Sequence, residues 1–123
     1  MNTITVTETF FSVEVLDMRR ATAFYVKALG ARVTFASPGW SSLMIAGVRI
    51  GLALKARHEG AATGLHFAVD DLEQTGAQIE QAGGSVASSP VELTPGVVLV
   101  RCRDSEANTF TLTRSAPRSV GTA

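Results

Sequence analysis

Few side chains in this 123-residue chain can carry acid–base or metal chemistry: there are 2 histidines, 1 cysteine and 11 acidic residues. Glu14 and His66 stand out by placement. Each sits in a short run of alternating apolar residues, around Val13 and Val15 in one case and Leu65, Phe67 and Val69 in the other. Alternation with period two marks a strand, so both side chains point away from the apolar face. A carboxylate and an imidazole facing a shared space can orient a polar ligand or move a proton. The structural alternative is a polar pair, or a dimer contact, that satisfies only itself. The functional reading is preferred, because burying charge is costly. The same faces carry Phe10 and Ser12 near Glu14, and Thr111 and Arg49 on later strands. Trp40, after Pro38-Gly39, is either a stacking platform for a planar ligand or a plug on the core. Arg49 either meets a ligand anion or Glu14, or stands in solvent. Cys102 reads as a core thiol and His58 as a solvated linker residue.

The elements that position these residues come as a repeat. From Leu65 to Gly84 a strand gives way at Asp71 to a helix, with Leu72, Thr75, Ile79 and Ala82 on one face. Asp71 and Gln74 have capping-box spacing, and Gly83-Gly84 supplies the stop. Phe11 to Gly30 has the same grammar. One constant offset relates Asp17 to Asp71, Val15 to Val69, Ala23 to Ala77 and Ala28 to Ala82. Two copies are too few for a solenoid and imply a pseudo-twofold pair of modules. After each helix the chain is extended: Ala31–Ala36, then a hairpin of Ser41–Ala46 and Val48–Leu54 in the first copy. The second has Ser85–Leu93, Val97–Arg103 and Thr109–Thr113. Each module is therefore βαβββ. The expected class is α+β, with paired four-stranded mixed sheets forming a cleft. Module 1 spans 9–55, the linker 56–63 and module 2 64–114, with a disordered tail over 115–123. Residues 1–8 either extend the first strand or fray.

Eleven basic and eleven acidic residues balance, so charge gives no case for nucleic acid or an anionic membrane as partner. A lone cysteine cannot form an intrachain disulfide, no stretch is long and apolar enough to span a bilayer, and the N-terminus lacks a signal-peptide pattern. A cytoplasmic protein is expected.

Paired βαβββ modules, Val15 to Asp17, Phe24-Tyr25, Leu29-Gly30 and Ala68-Val-Asp-Asp71 together resemble the vicinal oxygen chelate superfamily. That group includes glyoxalase I, extradiol dioxygenases and the fosfomycin- and bleomycin-resistance proteins. The resemblance covers roughly Phe10 to Thr113. It implies a divalent metal held in the cleft by side chains of the first and last strands of each module. Counted back from Asp17 and Asp71, the first-strand positions carry Phe10 and Gly64, and the last-strand positions of the family fall on Ala53 and Thr111; three of these cannot bind a metal and Thr111 is a poor ligand. No metal site and no cofactor are expected, and Glu14 and His66 alone are too few for a relocated one.

The preferred function is therefore a metal-independent binding protein similar to bleomycin-resistance proteins. It would hold a small hydrophobic or aromatic ligand with Phe10, Ser12, Glu14, Trp40, Arg49, His66 and Thr111. The alternative is a glyoxalase-like lyase or isomerase, or a dioxygenase-like enzyme, using Glu14 and His66 as an acid–base pair or a relocated metal. Whether it is an enzyme stays open. A homodimer is expected, because edge strands need covering.

Overall fold

A computed structural model describes residues 3–115; the expected tail over 115–123 falls almost wholly outside them. Module 1 runs β1 (Phe11–Val15), α1 (Met18–Leu29), β2 (Arg32–Ala36), β3 (Trp40–Ile45) and β4 (Val48–Leu54). Module 2 runs β5 (Ala62–Ala68), α2 (Leu72–Gln81), β6 (Ser85–Val86), β7 (Val91–Thr94), β8 (Val97–Arg103) and β9 (Thr109–Ser115). The first sheet has the order β1-β4-β3-β2, the second β5-β9-β8-β6, with β7 also paired to β8. In both, the strand before the helix lies parallel to the last strand, and the others are antiparallel. The α+β class and the two-module plan are thus as expected.

Two boundaries differ. The second sheet has five strands rather than four. Ser85–Leu93 breaks around Pro90, whose ring nitrogen cannot donate to a ladder. The linker also ends sooner, since Ala62 already pairs with Thr109 in β5.

The helices begin and end as their sequences require. Asp17 Oδ1 accepts the Arg20 amide at 3.0 Å, and Asp71 Oδ1 the Gln74 amide at 2.9 Å. Each bond satisfies one of the first-turn donors that have no partner within the helix. Gly30 closes α1 at positive φ, in the left-handed conformation that disfavours any residue with a β-carbon. The apolar stripe of α1, with Phe24 and Tyr25 fully buried, packs on Val13, Val15, Ile50 and Leu52 of its sheet; Ile79 of α2 joins the same core. No helix among the described residues is long and apolar enough to cross a membrane.

The two modules meet through α1 against α2 and through the turn between β8 and β9. Asp104, Glu106 and Asn108 of that turn are all buried. Glu106 accepts the Leu16 and Asp17 amides at 2.9 and 3.0 Å and pairs with Arg20 at 2.7 Å. Tyr25 donates its hydroxyl to Asp104 at 2.6 Å. Burial would raise the Glu106 carboxyl, but the hydrogen bonds from Arg20, the two amides and Ser105 outweigh it and bring it down to about 2. Burial first, then the Asp104 charge, raises the Tyr25 phenol well above its usual range. Module 2 is therefore clasped onto the β1–α1 junction of module 1 by three polar side chains.

Candidate functional site

The candidate residues lie on the sheet faces opposite the helices. Across the first sheet, Glu14 is level with Ala53 and Ala53 with Trp40; one row on, Ser12 is level with Gly51 and Gly51 with Ser42. Neighbouring strands are about 4.8 Å apart, so each row brings three residues within reach of a small ligand. The Trp40 indole lies over Gly51: a β-carbon built at Gly51 would collide with the ring. Phe10 meets Trp40 edge to face at a centroid separation of 6.1 Å and is 45 % exposed. Such T-shaped contacts are a favoured aromatic geometry. The Trp40 ring thus lies on the open sheet face over Gly51, with Phe10 edge-on beside it and only Gly51 and Ala53 on the neighbouring strand.

The polar partners differ from those expected. The imidazole closest to Glu14 is that of His58, with Nδ1 3.5 Å from Glu14 Oε2. His58 is not solvated: its side chain is only 4 % exposed, and Nε2 lies 2.6 Å from Asn108 Oδ1. Glu14 keeps about half its side-chain surface exposed. Alternation alone does not reveal this pairing, because His58 lies in the irregular linker, whose path is set by Asn108. In sequence the Asp104–Asn108 segment reads only as a turn, and its polar residues at 104, 106 and 108 give no sign that one side of it is buried.

His66 belongs to the second sheet, level with Thr111, which is level in turn with Arg101. Arg49 neither stands free nor meets Glu14; its Nε lies 2.5 Å from Glu8 and its Nη1 2.6 Å from Ser42 Oγ. Cys102 is buried, and burial, with the Glu80 charge behind it, pushes its thiol up to about 11.

A cavity of about 660 Å³ lies on the helix side of β1 and β5, walled by Phe11, Leu29, Ile45, Val48, Leu65 and Phe67. It sits where the repeat would dock a module 1 counterpart of the Asp104–Asn108 turn. The β3–β4 turn is only Ala46-Gly47, both at positive φ as a tight hairpin needs, so the space stays open. Its walls are largely apolar, and Phe10, Glu14 and Trp40 are not among them.

The divalent metal implied by the fold does not fit the residues present. Phe10 and Ala53 offer no donor, Gly64 has no side chain, and Thr111 offers one neutral hydroxyl. Among the described residues, no group of three or more His, Cys, Asp or Glu side chains gathers as metal ligands would.

Solved structures with this fold include a glyoxalase/bleomycin resistance protein/dioxygenase family enzyme from Burkholderia phytofirmans. It has a TM-score of 0.75 and 19 % identity over 86 % of this chain and 96 % of that one. The fosfomycin resistance protein FosX of Listeria monocytogenes also has a TM-score of 0.75, at 15 % identity over 92 % of this chain and 96 % of that one. A glyoxalase/bleomycin resistance protein from Catenulispora acidiphila has a TM-score of 0.66 at 23 % identity, over 86 % and 96 % respectively. Among curated proteins, none matches the chain in sequence. The sequence pattern of the Glyoxalase/Bleomycin resistance protein/Dioxygenase superfamily matches residues 9–112. With nearly the whole described chain matched in sequence and fold, this protein belongs to that superfamily.

Proposed function

We propose that this protein binds a small hydrophobic or aromatic molecule without a metal ion, on the sheet face formed by β1, β4 and β3. The observation that carries this reading is the Trp40 indole lying over Gly51 with Phe10 set edge-on beside it. A partly exposed indole with an aromatic wall suits a planar apolar ligand, and Ser12 and the half-exposed Glu14 supply polar groups two strands away, on β1. The residues at the family's metal positions support a metal-free mode. Trp40 is the only tryptophan, so its fluorescence reports directly on the platform. Titration with planar aromatics such as 1-naphthol should give saturable quenching in the wild type. Phe10→Ala should weaken it by about tenfold, since one buried aromatic contact is worth roughly 1 kcal/mol or more, and Trp40→Ala should abolish binding measured by calorimetry. If no compound in a broad aromatic panel binds in a way that depends on these two residues, the reading fails.

A second reading, acid–base catalysis, draws support from Glu14, whose carboxylate is open on one side and backed by His58 on the other. This arrangement could accept a proton from a bound ligand, with His58 rather than His66 as its partner. A turnover rate unchanged by Glu14→Gln would remove it, and elemental analysis of the purified protein tests for a relocated metal.

Both readings are compatible with a homodimer in the cytoplasm. Phe35 on β2 and Leu93 on β7 are apolar and exposed, and these are the surfaces a second copy would cover. Sedimentation of the wild type and of Phe35→Glu tests this directly. The single free thiol suits a reducing compartment.

A further inference from the structure

The open face of the second sheet is cationic and rich in hydroxyls. The ladder registers put His66, Thr111 and Arg101 in one row across β5, β9 and β8, and Thr109 and Arg103 in the next. The other residues of this face, by the same registers, are glycine, alanine, serine, threonine, valine and leucine, as at Gly64, Ala62, Ser85, Thr113 and Leu99. None is a carboxylate. In a chain whose total charge is zero, this face carries two guanidinium groups and no counter-charge of its own. Among the described residues, no Asp or Glu lies within salt-bridge distance of Arg101 or Arg103, whereas Arg20 and Arg49 are each paired. The first row opens on a small hollow of about 250 Å³ walled by Gly64, His66, Arg101, Thr109 and Thr111, among others. Gly64 leaves its floor clear, since a β-carbon there would meet nothing within 4 Å.

We infer that this hollow is a binding site for an oxyanion, the phosphate or carboxylate group of a small molecule. Arg101 supplies a planar fork of N–H donors matched to two oxygens. The Thr109 and Thr111 hydroxyls donate from the strand between, and the His66 ring nitrogen closes the far side. Neighbouring strands lie about 4.8 Å apart, so a single oxyanion centred over Thr111 reaches both Arg101 and His66. At about 250 Å³ the hollow has room for one such group and part of the small molecule that carries it, but not for an extended polyanion read along its length. The anion site does not depend on the Trp40 platform, which lies on the other sheet.

The test is an NMR titration of the His66 ring signals with inorganic phosphate and, separately, sodium acetate. Sodium chloride at matched ionic strength is the control for screening. A saturable shift with either oxyanion and none with chloride is expected. Arg101→Gln should weaken that binding by about tenfold, as loss of a charge-assisted bidentate contact does, and Thr111→Val by a smaller factor. Both positions are on an open strand face, and amide spectra of the variants report their folding independently. A shift equal to that in chloride, or one unchanged by Arg101→Gln in a folded variant, overturns the site. Quenching of Trp40 by neutral 1-naphthol separates the two sites. If it persists while phosphate and acetate fail, only the anion site is lost; if it fails while they bind through Arg101, only the aromatic platform is.

Discussion

The imidazole of His58 is held by Asn108, with Nε2 2.6 Å from Oδ1. The orientation of that amide is fixed from its other end. Asn108 Nδ2 donates to the Glu14 carbonyl at 2.9 Å and to Asp104 Oδ2 at 3.1 Å, while Oδ1 also accepts the Ala61 amide at 3.0 Å. Since Oδ1 can only accept, His58 carries a proton on Nε2, and it is Nδ1 that faces Glu14. One buried amide thus ties together β1, the linker, the β8–β9 turn and the back of the Glu14 carboxylate.

Replacing Asn108 by Ala should therefore cost more than an ordinary polar deletion. It strands the Ala61 amide, the Glu14 carbonyl and the His58 N–H at once, each a buried or half-buried group left without its partner. At about 1–3 kcal/mol for an unsatisfied group, with some relaxation toward water, a loss of roughly 3 kcal/mol is expected. Urea unfolding of Asn108→Ala against wild type measures it. An Asn108→Asp variant, nearly isosteric, should keep the Ala61 contact and lose the two donated bonds.

Acid should loosen the clasp between the modules. The Glu106 carboxyl sits at about 2 in the folded chain, below the roughly 4.3 of an unfolded glutamate. A depressed folded value means the stabilisation is full above about pH 4.3 and disappears as the pH falls toward 2. Its size is about 2 kcal/mol once the half-exposed state of Arg20 is allowed for. Stability measured between pH 6 and pH 2 should fall less steeply in Glu106→Gln than in wild type. Parallel curves would rule out this carboxylate as a source of acid sensitivity.

Gly51 is predicted to be the position on which the aromatic platform is most sensitive. A methyl group there overlaps the Trp40 ring, so Gly51→Ala must swing the indole off the strand. A changed tryptophan emission maximum and loss of aromatic-ligand quenching are expected, with the fold retained because the displaced ring is already half-buried at the surface. Unaltered emission and binding would show that the indole does not need this seat.

Cys102 should resist modification in the native protein. Its thiol is buried and raised to about 11, so almost no thiolate forms at pH 8, and the thiolate is the reactive species. Reaction with a disulfide reagent at pH 8 should be slower than for the urea-unfolded chain by at least about a hundredfold.

The fold is readable from the chain because it rests on local signals repeated twice. Period-two alternation before Asp17 and Asp71, a helical stripe after each and a glycine stop are features of neighbouring residues, and the repeat sets the module plan. The core residues Phe24, Tyr25 and Ile79 follow from the same stripes. Which residues stand at the positions where the family holds its metal is legible too, since Phe10, Ala53, Gly64 and Thr111 are facts of residue identity.

What tertiary structure decided was which polar groups meet. Glu14 faces His58, which lies far along the chain in a linker without periodicity, and Arg49 turns to Glu8 rather than to Glu14. The burial of Asp104, Glu106 and Asn108 was equally hidden, because a turn reads as solvent-exposed unless another element is known to cover it. The cationic row of His66, Thr111 and Arg101 needed the register of three strands, two of them distant in sequence from the third. A slip of one residue would have turned each side chain to the opposite face. Local periodicity assigns a face to a residue. Only the packing of the two modules, and the ladder registers within each, determines what shares that face.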